Sequence, residues 1–371
     1  MRHAPLAKLI KTIGKLAVIG LLAAPAAPAF AGNSPALPAY QVDLSKTSVS
    51  GLSSGAFMAA QFQVAFSSML VGAGIIAGGP FYCAGSSPLT PFVVNATTIC
   101  MNPLPGFAPD AGTLLAQAKI FAQAGAIDDI ANLKNGKLYI FSGMADKTVT
   151  TPVVDQTAAF YKLAGVPEQN IRYVNNVDAG HSIITNNSQN VACATTAAPY
   201  INDCHFIQSQ EILTQIYGNL NPPASQLSGK IIKFNQNEFI HSFLSSMSDD
   251  AYAYVPQSCE TATCKVHVAF HGCEQGATKI GNLFYSTTGY NELADTNNII
   301  VLYPQAESSS GFFSAYNPKG CWDFWGYSNM NQFAPNFYTK TAPQMAAVKA
   351  MLDRLAQARK PGPMASAAKL P

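Results

Sequence analysis

Short apolar runs alternate with longer helical stretches along the chain. The runs are rich in Val, Ile and Tyr, as is typical of strands covered on both faces of a sheet. Strands are predicted at 48–52, 69–76, 137–141, 171–174, 230–234, 252–255, 266–270 and 299–303. Helices are predicted at 56–68, 114–124, 151–163, 209–220, 290–297 and 342–357. This alternation predicts a single-domain α/β fold, a mostly parallel sheet with helices on both faces.

The N-terminal segment has the three parts of an export signal. Positive charges lie within 2–15, an apolar run follows at 16–27, and Ala29-Phe30-Ala31 is a small-x-small cleavage pattern. A membrane anchor is the alternative, but the run is shorter than the ~20 residues that span a bilayer. We therefore expect a signal peptide at 1–31, the α/β domain at 32–360 and a flexible tail at 361–371, in a protein that is secreted or periplasmic and not inserted in a membrane.

The charge of the expected mature chain is close to neutral. Four of the 22 basic residues fall in the signal, which leaves 18 against 20 acidic ones, a charge of −2. Only 11% of the chain is charged and 48% is hydrophobic, which excludes a disordered protein. A nucleic-acid partner is also excluded, because it would require a basic surface. A monomer is expected.

Eight cysteines are expected to form disulfides, since their number is even and the chain is predicted to be exported. Eight cysteines allow 105 pairings. Short loops close at the lowest entropic cost, which favours Cys83–Cys100, Cys193–Cys204, Cys259–Cys264 and, by elimination, Cys273–Cys321. A zinc site is not expected, because no C-x-x-C pair is present and Cys204-His205 is the one adjacent Cys/His pair. No metal or cofactor is predicted.

The segment Gly51-Leu-Ser53-Ser-Gly55 matches G-x-S-x-G between a predicted strand and a predicted helix. In that context the motif indicates a nucleophile elbow, a strained turn that exposes the serine hydroxyl above the sheet. An ordinary Gly/Ser turn is the alternative. The position favours Ser53 as a nucleophile, with the backbone N–H of Ser54 facing a developing oxyanion.

A nucleophilic serine needs a histidine base. His181 follows the predicted strand at 171–174, where a loop-borne ring would reach back over the edge of the sheet. Among the alternatives, His267 lies inside a strand, His205 adjoins a predicted disulfide, and His241 has no motif around it.

The histidine in turn needs an orienting carboxylate. Asp146 follows the predicted strand at 137–141 and gives the order Ser…Asp…His found in α/β-hydrolases. Asp155 and Asp178 are the alternatives. Asp155 falls within a predicted helix, and Asp178 is too close in sequence to His181 to orient it comfortably.

A second oxyanion donor is predicted in His271-Gly-Cys273, directly after the strand at 266–270. An H-G-x turn after the third strand supplies such a donor in α/β-hydrolases, and the backbone N–H of Cys273 would contribute about 3 kcal/mol to transition-state stabilisation. This loop usually precedes the serine, whereas here it follows the histidine. The inverted order predicts a circular permutation of the α/β-hydrolase fold.

The combined motifs resemble those of the secreted poly(3-hydroxybutyrate) depolymerases with a circularly permuted catalytic domain. The resemblance covers the mature chain and rests on Gly51-Leu-Ser-Ser-Gly-Ala-Phe-Met58, Ser142-Gly-Met-Ala-Asp146, Gly180-His181, His271-Gly-Cys273 and Asn317-Pro-Lys-Gly-Cys-Trp-Asp-Phe-Trp-Gly-Tyr327. It implies a Ser53, Asp146 and His181 triad, Ser54 and Cys273 as the oxyanion hole, and a polyester-contacting tryptophan, Trp322 or Trp325.

The expected activity is therefore hydrolysis of poly(3-hydroxybutyrate) or its oligomers through an acyl-enzyme. Many extracellular members carry a polymer-binding domain, and the absence of a linker to one favours amorphous granules or soluble oligomers as substrate. A feruloyl or acetyl-xylan esterase is the enzymatic alternative. A non-catalytic surface or carbohydrate-binding protein is the alternative from another class.

Overall fold

An eight-stranded sheet organises the computed structural model, which describes residues 34–311 and 314–359. The predicted signal peptide and the predicted tail lie outside the described residues. The strands in chain order are β1 (Thr47–Leu52), β2 (Leu70–Ile76), β3 (Lys137–Gly143), β4 (Ile171–Val177), β5 (Ile183–Thr185), β6 (Val191–Ala192), β7 (Ile201–Asp203), β8 (Lys230–Asn235), β9 (Asp250–Val255), β10 (Lys265–Phe270) and β11 (Ile299–Tyr303).

The large sheet contains all eight predicted strands, in the order β4-β3-β2-β1-β10-β11-β9-β8. Neighbouring strands from β4 to β11 pair in parallel, and β9 is antiparallel to both of its neighbours, β11 and β8. The prediction of a mostly parallel sheet is confirmed. A small three-stranded sheet, in the order β5-β7-β6, was not predicted.

The helices lie between the strands, as expected for βαβ connections. All six predicted helices are present within a few residues of their predicted bounds, and α2, α6 and α7 were not predicted. The described helices are α1 (Ser54–Ala65), α2 (Phe92–Thr97), α3 (Ala111–Gln123), α4 (Thr151–Leu163), α5 (Gln208–Tyr217), α6 (Ala277–Ile280), α7 (Leu283–Thr287), α8 (Tyr290–Thr296) and α9 (Pro343–Ala356). Within the residues described, no helix is both long and apolar enough to cross a bilayer.

The core is centred on β1 and α1. Every residue of both elements is buried, because β1 lies between β2 and β10 in mid-sheet and α1 packs back onto these strands. Apolar side chains suit such a position because they have no polar group that needs a hydrogen-bond partner. The helix α1 is accordingly rich in Ala and Phe and is not amphipathic. The residue between the two elements, Ser53, is thus held by two fully buried elements.

The strand order identifies a circular permutation. If the chain is read from β8, then β10 becomes the third strand, and the loop after the third strand supplies an oxyanion donor in α/β-hydrolases. The beginning and end of the described chain meet at the junction that this reading requires. The N–H groups of Tyr40 and Val42 both donate to the carbonyl of Leu355, at 3.0 and 3.2 Å, at the end of α9.

All four predicted disulfides are present, and the pairing by shortest loops is confirmed. The bonds are Cys83–Cys100, Cys193–Cys204, Cys259–Cys264 and Cys273–Cys321. Four disulfides are typical of proteins that fold in an oxidising compartment.

Candidate active site

Ser53 occupies a strained turn between β1 and α1. Its φ of 57° and ψ of −125° lie in a region that non-glycine residues rarely adopt. The turn is fixed from three sides, because the Ser53 N–H donates to the carbonyl of Ile76 at 3.0 Å while its own carbonyl accepts from Ala56 and Phe57. The side chain makes no cap hydrogen bond to the helix that it precedes. The strain is therefore maintained by the surrounding backbone, as in a nucleophile elbow.

The two glycines of the motif are required by close backbone contacts. A Cβ on Gly51 would lie 2.2 Å from the carbonyl oxygen of Gly55, and a Cβ on Gly55 would lie 2.4 Å from the carbonyl oxygen of His271. Such distances are well inside van der Waals contact. The first glycine thus permits the tight turn, and the second lets α1 approach the loop that follows β10.

Asp146 and His181 form a buried hydrogen-bonded pair. The Nδ1 of His181 donates to Oδ2 of Asp146 at 2.7 Å, and the two residues are 6% and 3% exposed. The other carboxylate oxygen, Oδ1, accepts from the N–H groups of Thr148 and Val149 at 2.7 and 3.1 Å. These bonds hold the carboxylate in one orientation. Nε2 is consequently the ring nitrogen of His181 that stays available for a proton-transfer partner.

Backbone bonds join the loops that carry these two residues. The N–H of Ala145 donates to the carbonyl of Ala179 at 3.1 Å, which ties the two loops together. The N–H of His181 also donates to the Thr196 hydroxyl at 2.9 Å, which holds its loop to a later segment of the chain. Ser53, Asp146 and His181 follow β1, β3 and β4, whose carboxyl ends share one edge of the sheet. Among the described residues, the Ser53 hydroxyl makes no hydrogen bond to His181. In enzymes without substrate this bond is often long and tightens on binding.

The alternative acids and bases lie elsewhere. Asp155 is exposed and accepts a hydrogen bond from Tyr173 at 2.7 Å, and Asp178 is exposed. His205 and His241 are exposed as well. His267 is fully buried in β10, where its two ring nitrogens are each 2.7 Å from the hydroxyls of Ser48 and Ser50 of β1, and burial lowers its pKa to about 3.

The loop after β10 passes directly beside Ser53. A Cβ on Gly272 would lie 3.4 Å from the Cβ of Ser53. The N–H of Cys273 makes no hydrogen bond within the described part of the chain, and Ser54 begins α1, where first-turn N–H groups have no helical partner. Two backbone donors are thus available on either side of the serine, as an oxyanion hole requires.

Two side chains to which the sequence motifs give no role hold this loop in shape. The Nδ1–H of buried His271 donates to the Gly272 carbonyl at 2.7 Å, and its Nε2 accepts from the Ala306 N–H at 3.1 Å. This bonding requires the neutral ring, and burial lowers the pKa of His271 to about 4. Buried Gln275 accepts from the Gly272 N–H at 2.7 Å and donates to the carbonyl of Tyr200 at 3.0 Å.

Gln275 therefore connects the loop after β10 to the segment that follows His181. The sequence contains an H-G signal for His271, but a single glutamine in a loop carries no pattern that separates it from a solvated side chain. Its role becomes visible only when the two loops meet in the fold.

A large groove opens above Ser53. Its volume is about 1050 Å³, and its lining includes Ser53, Ser54 and Cys273 beside mainly apolar side chains such as Phe57, Phe92 and Trp325. His181 and Asp146 do not belong to the lining. An apolar groove with a few polar groups suits an uncharged organic substrate.

The structure distinguishes the two tryptophans. Trp325 is half-buried and lines the groove, with its ring 4.9 Å from that of Phe324. Trp322, the other candidate for contact with substrate, does not line the groove, since its side chain is fully buried and its ring packs at 5.0 Å against Phe270. Trp322 has a structural contact instead, since its backbone N–H donates to the Ser54 hydroxyl at 3.1 Å.

A buried carboxylate shapes the wall that carries Trp325. Asp323 is 1% exposed and accepts from the N–H groups of Trp325, Gly326 and Ser328 at 3.1, 2.6 and 3.0 Å. Burial raises the pKa of the Asp323 carboxyl, and the hydrogen bonds from Ser328 oppose that shift. These bonds close a tight turn, so the position of Trp325 is set by its own backbone rather than by substrate.

The strained serine, the buried Asp–His pair and the two unpaired N–H groups lie at the carboxyl edge of a permuted α/β-hydrolase sheet. This arrangement defines the class of serine hydrolases.

Comparisons with known proteins specify the family. A poly(3-hydroxybutyrate) depolymerase of Delftia acidovorans is 43% identical over 325 residues, 86% of this chain and 61% of that protein. A polyhydroxybutyrate depolymerase of Talaromyces funiculosus is 36% identical over 309 residues, 80% of this chain and 86% of that protein. No family model matches the chain. The chain belongs to the poly(3-hydroxybutyrate) depolymerase family, and it spans about three fifths of the length of the Delftia relative.

Solved structures agree with this assignment. The PHB depolymerase of Penicillium funiculosum is similar with a TM-score of 0.75 and 35% identity, and the match covers 86% of this chain and 98% of that one. A PHB depolymerase with a serine-to-alanine substitution, complexed with an R3HB trimer, is similar with a TM-score of 0.76, the same identity and the same coverage.

Proposed function

We propose that the chain is a serine esterase that hydrolyses poly(3-hydroxybutyrate) or its oligomers. The observation that carries the proposal is the 2.7 Å bond between His181 and Asp146 at the sheet edge that holds the strained Ser53. A carboxylate-oriented imidazole near a serine that lines a groove from an elbow turn has one common chemical use, which is acyl transfer.

The proposed reaction has two half-reactions. His181 Nε2 takes the Ser53 proton as the hydroxyl attacks the ester carbonyl, and the N–H groups of Ser54 and Cys273 stabilise the oxyanion. The imidazolium, stabilised by Asp146, then protonates the leaving alcohol and leaves an acyl-enzyme. Water then attacks the acyl carbon while His181 takes its proton. The imidazolium returns that proton to the Ser53 oxygen as the acyl–oxygen bond breaks, which releases the free acid and restores the serine hydroxyl.

The shape and polarity of the groove support a polyester substrate. A polyester of short hydroxyacids offers methyl groups and carbonyls but no charge along its chain. The mainly apolar lining and the Trp325 ring suit such a chain. The relatives named as depolymerases, and the one complexed with an R3HB trimer, point to the same substrate class. Export is part of the proposal, because the four disulfides match an oxidising compartment.

The test uses Ser53→Ala and Asp146→Asn on amorphous poly(3-hydroxybutyrate) granules. Ser53→Ala is expected to lower kcat on the order of 10⁶-fold, and Asp146→Asn about 10⁴-fold, because the wrong histidine tautomer then prevails. Asp155→Asn is the matched control, since that residue contacts Tyr173 outside the site, and its kcat should equal that of the wild type.

Substrate and labelling arms complete the test. An organophosphate should label the wild type and leave Ser53→Ala unlabelled. Full turnover by Ser53→Ala would exclude the mechanism. Faster release of ferulate from feruloylated sugars than of hydroxybutyrate from granules would replace the proposed substrate by plant-wall esters.

A further inference from the structure

The groove above Ser53 has one charged lining residue in the part of the chain that the structure describes, and this is Lys319. Its side chain is 67% exposed, and its ammonium lies 3.8 Å from a carboxylate oxygen of Glu274. That distance is too long for a hydrogen bond, so the three ammonium donors stay available to a ligand. Glu274 also accepts a hydrogen bond from the Tyr200 hydroxyl at 3.3 Å.

The backbone fixes Lys319 beside the reacting centre. The N–H of Glu274 donates to the Lys319 carbonyl at 2.7 Å. Two residues further on, Cys321 is bonded to Cys273, whose N–H is the second oxyanion donor proposed above. The main chain is therefore held at the oxyanion side of the groove, while the long side chain keeps its freedom to move.

The chemistry of the substrate gives this charge a partner. A 3-hydroxyacid oligomer is uncharged along its length but ends in one carboxylate, which is ionised at neutral pH. The fraction of chain ends is high in a trimer and negligible in a polymer. An ammonium in an uncharged groove therefore distinguishes short free-acid oligomers from the interior of a long chain.

We propose that Lys319 binds the terminal carboxylate of short oligomers and so directs the enzyme toward them. The inference rests on the function proposed above and specifies its substrate. Because the ammonium is exposed, its contribution to the binding free energy is of the size measured for surface ion pairs. This corresponds to a change of up to about fivefold in KM. Glu274 competes with the ligand for the same ammonium, and salt weakens both interactions.

The experiment compares two forms of the (R)-3-hydroxybutyrate trimer, the free acid and a neutral C-terminal methylamide. The measured quantity is the ratio of their KM values at low ionic strength. Lys319→Met should raise the ratio of free acid to amide about fivefold, and Glu274→Gln should lower it. Lys162→Met, an equal change of charge on the exposed end of α4, should leave the ratio as in the wild type.

Each outcome decides one proposal. A wild-type ratio in Lys319→Met, with both trimers hydrolysed, would overturn the role of Lys319 and leave the esterase function standing. A folded wild type that hydrolyses neither the trimers nor amorphous granules would overturn the esterase function itself. Addition of about 0.5 M salt, which shortens the screening length to a few ångströms, should bring the wild-type ratio close to that of Lys319→Met, and an unchanged ratio would contradict the electrostatic account.

Discussion

The disulfide between Cys273 and Cys321 should support stability and catalysis at once. It closes a segment of 48 residues and ends at the proposed oxyanion donor. The Cys259–Cys264 bond closes a segment of only 5 residues beside β10. The double variants Cys273→Ala with Cys321→Ala and Cys259→Ala with Cys264→Ala therefore form a matched pair. Both remove one disulfide, but only the first touches the loop beside Ser53.

Loop entropy sets the expected change in stability. Cross-linking over 48 residues restricts the unfolded chain by about 4 kcal/mol, whereas a span of 5 residues restricts it by about 2 kcal/mol. Urea denaturation followed by circular dichroism should give free energies of unfolding that are lower by about these amounts.

The expected change in activity depends on what else holds the loop. Complete loss of one oxyanion donor costs about 10²–10³-fold in kcat. Without the disulfide, the loop keeps the 2.7 Å bonds from Glu274 to Lys319 and from Gly272 to Gln275. We therefore expect kcat to fall between about 10- and 100-fold with the variant that lacks Cys273–Cys321, and to stay at the wild-type value with the other. Equal kcat values in the two folded variants would refute the view that this bond positions the donor.

Two further predictions concern the buried histidines and the two tryptophans. The pKa values of His267 and His271, about 3 and about 4, lie below the ordinary value near 6.5. As the pH decreases, the unfolded chain therefore takes up protons before the folded protein does. The free energy of unfolding should keep its full value above pH 6.5, and below pH 6.5 it should decrease by about 1.4 kcal/mol per pH unit for each ring. Urea denaturation at pH 7, 6 and 5 measures this slope, and a flat profile would contradict it. Trp322→Ala should lower the free energy of unfolding by about 3–5 kcal/mol, whereas Trp325→Ala should mainly raise KM for oligomers. Equal changes in KM for the two variants would contradict the assignment of Trp325 alone to the groove.

The edge strands β4 and β8 are partly exposed, but the inner strands of the sheet could be predicted from the sequence because they are covered on both faces. Their apolar runs are continuous and therefore visible without any tertiary information. The strands β5, β6 and β7 were missed because they are only two or three residues long, too short for a period to develop. The helices α2, α6 and α7 were missed because they have only four to six residues, which is also too short for a helical period to develop.

The residues of the site also divide into those that local patterns reveal and those that depend on contacts across the fold. Ser53 carries a local motif, and Asp146 and His181 follow strands that could be recognised, so the order of the chain was enough to pair them. The environments of the two tryptophans depend on contacts across the fold, such as that between Trp322 and Phe270. Spacing along the chain carries no information on such contacts. The link that Gln275 makes between two distant loops is hidden in the same way.

The permuted order has a consequence for when the enzyme becomes competent during its synthesis. The strand β1 must pair with β10, more than 200 residues later in the chain. The serine is thus made early, and the loop that completes its surroundings is made late. Contacts so distant in sequence form slowly, so a partly synthesised chain already carries its nucleophile but has no assembled site around it. We therefore expect a hydrolase with this layout to stay inactive until the loop after β10 has been made.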